Sequence, residues 1–177
     1  TIVGGPHITE FPKNLMKHND YIDYEFSGEI DNQIVDFLGE LERVNKDWSK
    51  IPNLTWRAGD QIIANNMRAV IEDLDTLPYP HRELYYKYDF LKKLDLKRFL
   101  AGRGCPYRCA FCSIPLLMTR QEQKKNMRRH SVDRVIGELL YVKERYPMRS
   151  VHFHDDIFTL NLRWLEQFAE AYRKHIN

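Results

Sequence analysis

Three cysteines constrain this chain more than anything else in it. Cys105, Cys109 and Cys112 are all the cysteines it has, gathered in the run Arg103-Gly104-Cys105-Pro106-Tyr107-Arg108-Cys109-Ala110-Phe111-Cys112-Ser113. Thiols four and three residues apart converge on one point only from a tight loop, and Gly102, Gly104 and Pro106 supply backbone for one. Thiolates select zinc or iron–sulfur clusters over hard cations. A closed structural zinc site and an ordinary cluster each take four protein ligands. Three cysteines therefore leave one position open, unless a residue such as His130 completes a zinc loop. An open position on iron is a place where a substrate or cosubstrate binds.

Cys105-xxx-Cys109-x-Phe111-Cys112, preceded by Arg-Gly and an apolar strand, resembles the signature of radical S-adenosylmethionine (SAM) enzymes. The resemblance implies that the three cysteines hold a 4Fe-4S cluster whose fourth iron binds the amino and carboxylate groups of SAM. It further implies that the reduced cluster cleaves SAM to methionine and a 5′-deoxyadenosyl radical, with an electron donor such as flavodoxin or ferredoxin. Phe111 would lie by the adenine.

Composition narrows the remainder. The 177 residues are 43% hydrophobic and 29% charged, ordinary for a globular protein, and room for one domain or parts of two. A formal net charge of +2 is too small an excess to imply nucleic acid. No apolar run approaches the ~20 residues of a membrane span. An odd number of closely spaced cysteines is no secreted disulfide framework, so a reducing, cytoplasmic setting is expected. Thr1-Ile2-Val3 reads as the end of a buried strand, and the last residues stop within or just after an amphipathic helix, so the chain reads as an internal piece of a longer protein.

After Gly4-Gly5-Pro6-His7, the pattern predicts a helix at about 12–18, a strand at 21–26 and a helix at 30–44 with Ile34, Phe37, Leu38 and Leu41 on one face. Leu54-Thr55-Trp56-Arg57 and Gln61-Ile62-Ile63-Ala64 flank a turn and predict a hairpin. This strand and helix rhythm is an α/β signature with parallel strands. The stretch from Thr1 to about Tyr79, with Gly4-Gly5-Pro6-His7, Ser27-Gly28-Glu29, the hairpin and then Leu74-Asp75-Thr76-Leu77-Pro78-Tyr79-Pro80, resembles the second half of the cobalamin-binding domain that precedes the radical domain in one large class of these enzymes, the domain itself being residues 1–74. The resemblance implies a doubly wound sheet with Gly4 and Gly5 near the nucleotide tail of the corrinoid. The loop whose histidine can ligate cobalt in that class would lie upstream of residue 1, and His7 does not replace it.

Residues 75–97 read as an ordered linker, two prolines fixing an extended path. Residues 98–177 then give strand, helix, strand, helix: Leu96–Ala101, a helix capped by Ser131, Ser150–His154, and a helix capped by Asn161. That is the opening of a radical SAM (β/α) barrel, roughly two of its eight units. Arg120 to Arg129 reads as a solvated basic face. Asp155 and Asp156 end the second barrel strand, where ligands of such sheets bind. They agree with the Asp-Asp-x-Phe pattern of the cobalamin-associated class, which implies that one of them contacts the SAM amino group. The expected whole is α/β, the C-terminal part of a cobalamin-binding-type domain followed by the first βα units of a radical SAM partial barrel. Its expected activity is cobalamin-dependent methyl transfer or related radical chemistry on a small molecule or peptide. Two rivals stay open: a cobalamin-independent radical SAM enzyme, and a zinc-stabilised module that binds nucleic acid.

Overall fold

A computed structural model describes residues 1–120 and 127–176. They form two units, one from Thr1–Ile71 and the segment beginning at Tyr107, the other from Glu72–Pro106 and the segment beginning at Met127.

In the first unit, β1 (Ile2–Gly4) leads through α1 (Pro6–Glu10) and α2 (Asn14–His18) to β2 (Tyr24–Phe26), which lies parallel to β1. The helix expected at about 12–18 is α2, which Lys13 starts from a left-handed φ of 71°; α1 precedes it where the pattern predicts none. Buried Glu25, from the middle of β2, accepts from the N–H groups of Lys13 at 2.8 Å and Met16 at 2.9 Å, and so caps α2. Helix α3 (Gln33–Leu41) buries Phe37 and packs Ile34 on the sheet, while Leu38 and Leu41 remain exposed. The hairpin of β3 (Leu54–Ala58) and β4 (Gln61–Ala64) forms as its pattern predicts, turning on Gly59 at φ 60°. Because β3 runs antiparallel to β2, the order β1-β2-β3-β4 is parallel only at its first pair. Phe26, Phe37, Ile51 and Leu54 make the core, with Tyr24 edge-on to Phe37 and Trp48 stacked on it.

The second unit begins with two one-turn helices, α4 (Glu83–Tyr86) and α5 (Asp89–Lys92), inside the stretch whose prolines predict extended chain. The prolines stop at Pro80, and the helices follow it. Strand β5 (Leu96–Phe99) and the short β6 (Gly102–Arg103) come next; α6 (Ile114–Arg120) belongs to the first unit and packs on α1. Then follow β7 (Arg128–Arg129), α7 (Val132–Arg145), β8 (Ser150–Phe153) and α8 (Leu162–His175). β8 lies parallel to β5, with Leu96 opposite Ser150 and Phe99 opposite Phe153. Both long helices use the caps their sequence offers, Ser131 Oγ accepting from Arg134 N and Asn161 Oδ1 from Trp164 N, each at 3.1 Å. They cover one face of the sheet, burying Phe99, Val135, Leu139, Val142, Trp164 and Phe168. The stretch before β5 packs on α7: Arg82 pairs with Glu138 at 2.6 Å and lies over Phe99, and Arg134 lies over Tyr79. Among the described residues no helix is long and apolar enough to cross a membrane.

Candidate functional site

Strand β5 carries the chain to Ala101, and from there to the cysteines the backbone is specified residue by residue. Ala101 N donates to Asp155 Oδ2 at 2.9 Å, and Ala101 O accepts from His130 N at 2.8 Å. Gly102 and Arg103 pair antiparallel with Arg129 and Arg128. A side chain on Gly102 would put its Cβ 2.7 Å from the Arg128 carbonyl oxygen, so this position admits glycine alone. Gly104, at φ 91°, then turns the chain into Cys105. Cys105 and Cys112 are half-buried, Cys109 is exposed, and all three are free thiols. A turn closes on Cys112 N donating to Cys109 O at 3.0 Å. Phe111, between the last two thiols, is 94% exposed. Among the described residues no three His, Cys, Asp or Glu side chains stand together as a metal site. The donor set, three thiols, is of the kind that zinc and iron–sulfur clusters take.

The acidic pair at the end of β8 has two different surroundings. Along the strand Val151 and Phe153 pack against the helices, and Asp155 continues that face, half-buried; His152, His154 and Asp156 alternate with them and are exposed. Asp155 Oδ2 is held by Ala101 N, whereas its buried Oδ1 has no hydrogen-bond partner among the described residues. Burial pushes the Asp155 carboxyl above its ordinary value, opposed by the Ala101 N–H and by the nearby Arg129 charge. The turn beyond it is held by Arg129, which donates to the carbonyls of Ile157 and Phe158, both at 2.8 Å, and stacks over Trp164 at 4.5 Å. Arg128 is buried. The end of the basic run is thus not the solvated face its composition suggests; Lys124 and Lys125 lie outside the described residues.

His130, the histidine that could complete a zinc loop, meets Asp75 through Nδ1 at 2.9 Å, and Ser131 N donates to the same carboxylate. Burial works to raise the Asp75 carboxyl, but the bonds from Ser131 and His130 outweigh it and hold it below the ordinary range. In the first unit, Gly4 ends β1 close against β2, where a Cβ would lie 3.3 Å from Phe26 O. Gly5 has φ 107° with open space where a side chain would be. His7 lies inside α1, its carbonyl accepting from Phe11 N and its ring against the Phe11 ring. Sequence reasoning singles out the cysteines and the acidic pair but misses Arg129 and Asp75, because their partners stand 29 and 55 residues away.

No protein-family model matches the chain. In sequence it is similar to an uncharacterized methyltransferase of Pyrococcus horikoshii, 30% identical over 164 residues that are 90% of this chain and 34% of that protein. It is also similar to the cobalamin-dependent radical SAM methyltransferase TokK of Streptomyces tokunonensis, 25% identical over 118 residues, 63% of this chain and 17% of TokK. Among solved structures, the radical SAM methyltransferase TsrM of Kitasatospora setae, with cobalamin and a 4Fe-4S cluster bound, matches with a TM-score of 0.66 at 16% identity, over 99% of this chain and 34% of TsrM. The chain spans about a third or less of the length of these relatives.

Proposed function

We propose that this chain, whose relatives include a cobalamin-dependent radical SAM methyltransferase, holds a 4Fe-4S cluster on Cys105, Cys109 and Cys112 and binds SAM beside it, for methyl transfer or related radical chemistry. The observation that carries the reading is that the approach to the CxxxCxFC motif and the acidic turn each follow one of two adjacent parallel strands, with Ala101 N bonded to Asp155. Ligands of parallel β/α sheets bind at the carboxyl ends of the strands. Three thiols free of disulfides suit the cluster and leave one coordination position open. When bound and reduced, such a cluster supplies the electron for reductive cleavage of SAM.

The chain's own residues bind and orient. Exposed Phe111 offers a ring face to the adenine. Asp156, on the strand face away from the helices, meets the SAM ammonium, while Asp155 serves the backbone at Ala101. In the first unit the Gly4-Gly5 turn admits the corrinoid tail, since no side chain bars its approach. We assign residues 1–74 to the cobalamin-binding part, 75–97 to a connecting segment and 98–177 to the radical SAM part, with a flavodoxin or ferredoxin as electron donor and a small molecule or peptide as substrate.

Anaerobic reconstitution of the full-length protein tests the reading. About four irons per chain are expected, with the brown absorption of thiolate-bound iron, and both are lost on Cys109→Ala because nothing replaces the missing ligand. Stoichiometric zinc without iron uptake would sink it.

A further inference from the structure

Two stretches of the second unit far apart in sequence, the entry to the cysteine loop and the acidic turn, are fastened to the same dipeptide. The backbone of Arg128-Arg129 pairs with Gly102-Arg103. At Gly102 the fit is close enough that a Cβ would meet Arg128 O at 2.7 Å and Asp155 Oδ1 at 3.4 Å. The Arg129 side chain then reaches to the other stretch, its two terminal nitrogens each donating at 2.8 Å to consecutive carbonyls, Phe158 and Ile157. Its guanidinium plane lies over Trp164 at 4.5 Å, and Trp164 is itself anchored by Nε1 donating to His130 O at 2.9 Å. A solvated charge needs neither the stacking nor the fork. A planar guanidinium holds two carbonyls with donors fixed in one plane while its face stacks on Trp164; an ammonium has three donors, but they radiate from one atom and have no plane to stack.

We infer that Arg129 is a positioning residue for SAM, locking the Asp155–Phe158 turn onto the strand that enters the cysteine loop and so fixing where Asp156 stands relative to the cluster ligands' strand. The inference rests on the reading of Asp156 as the SAM contact. Arg129 touches neither SAM nor the cluster ligands; it acts through the consecutive carbonyls of Ile157 and Phe158. A displacement of the turn by about 1 Å is enough to weaken a contact that depends on geometry.

The test uses the full-length protein with its cluster reconstituted, and reads SAM binding at equilibrium rather than turnover. Arg129→Lys keeps the charge and the stem but loses the rigid planar fork and the stacking on Trp164, and Arg129→Gln is the second variant should the first not fold. Iron content is expected to match the parent, SAM affinity to fall about tenfold, and amide exchange at Ala101, whose N–H is bonded to Asp155, to accelerate. In a double-mutant cycle, Asp156→Asn added to Arg129→Lys is expected to cost much less than in the parent, because both act on one contact. Unchanged SAM affinity overturns the inference, as do additive effects, loss of iron, or unchanged exchange at Ala101. A parent that takes up iron yet binds no SAM, or an Asp156→Asn variant that binds like the parent, fails the underlying reading instead, and is seen without any substitution at Arg129.

Discussion

Asp155 and Asp156 are neighbours with different surroundings, Asp155 half-buried on the helix-covered face and Asp156 exposed. Burial raises the Asp155 carboxyl, so the folded chain holds its proton more tightly than the unfolded chain does. That contribution to stability is fully present below the ordinary carboxylate value and is lost as pH rises through the raised one. Asp155→Asn keeps an acceptor for Ala101 N and removes the buried charge. Its stability is therefore expected to vary less with pH just above the ordinary carboxylate value, and to equal or exceed the parent's at neutral pH, as thermal melts across pH would record. Asp156→Asn is expected to leave the melt within about 0.5 kcal/mol of the parent, as exposed positions do. It should instead lower SAM affinity by roughly one to two decades, the worth of a charge-assisted hydrogen bond. If the melts exchange roles, the assignment of the pair is inverted. Strand alternation already separates the two carboxylates in the sequence, but the covered face becomes known only when α7 and α8 are seen on the side of Val151 and Phe153. The cysteines are singled out without such help, by residue type and spacing alone.

At the scale of elements, what shows in the sequence is what repeats. The caps and apolar stripes of α7 and α8, the β3–β4 hairpin and the strands β5 and β8 all follow from periodicity and end signals. Two-residue strands such as β6 and β7 have no period, and the four-residue helices α4 and α5 span barely one turn, so neither pair leaves a pattern to find. The antiparallel arrival of β3 beside β2 is likewise set by a remote residue. Buried Asn53, at φ 68°, donates from Nδ2 to Ser27 O at 2.7 Å and accepts from Arg68 N at 2.8 Å, fixing the start of β3 against the end of β2. Asn53→Ala leaves a buried carbonyl and an amide unpaired and replaces asparagine, which tolerates the left-handed region, by a residue that tolerates it less. It should destabilise the first unit by about 2–4 kcal/mol in urea unfolding. Asn53→Gly relieves only the backbone share, and a loss equal to alanine's would show that side-chain bonding decides.

At the scale of the whole molecule, each unit has its own core, and the second is covered on one face only. Helices α7 and α8 pack on the face of Phe99, Val151 and Phe153. The other face of β5 and β8 leaves Leu96 40% and Leu100 50% exposed, with Arg98, His152 and His154 also open to water. In a (β/α) barrel the face opposite the helices is the packed interior, and two parallel strands cannot enclose one. The chain spans 34% of the Pyrococcus horikoshii relative, and in a longer protein the wall of such an interior would come from further strands. Produced alone, these 177 residues are therefore expected to self-associate in the micromolar range through this face and its unpaired strand edges. Leu96→Lys combined with Leu100→Lys should shift them toward monomer in sedimentation experiments, since charge on an exposed apolar face opposes association. In the full-length protein the same pair should act in the opposite sense and lower stability by several kcal/mol, because a closed barrel would bury two unpaired ammonium groups. If the double lysine variant leaves the full-length protein as stable as the parent, this face is not a barrel interior, and the β5–β8 pair belongs to an open two-layer sheet.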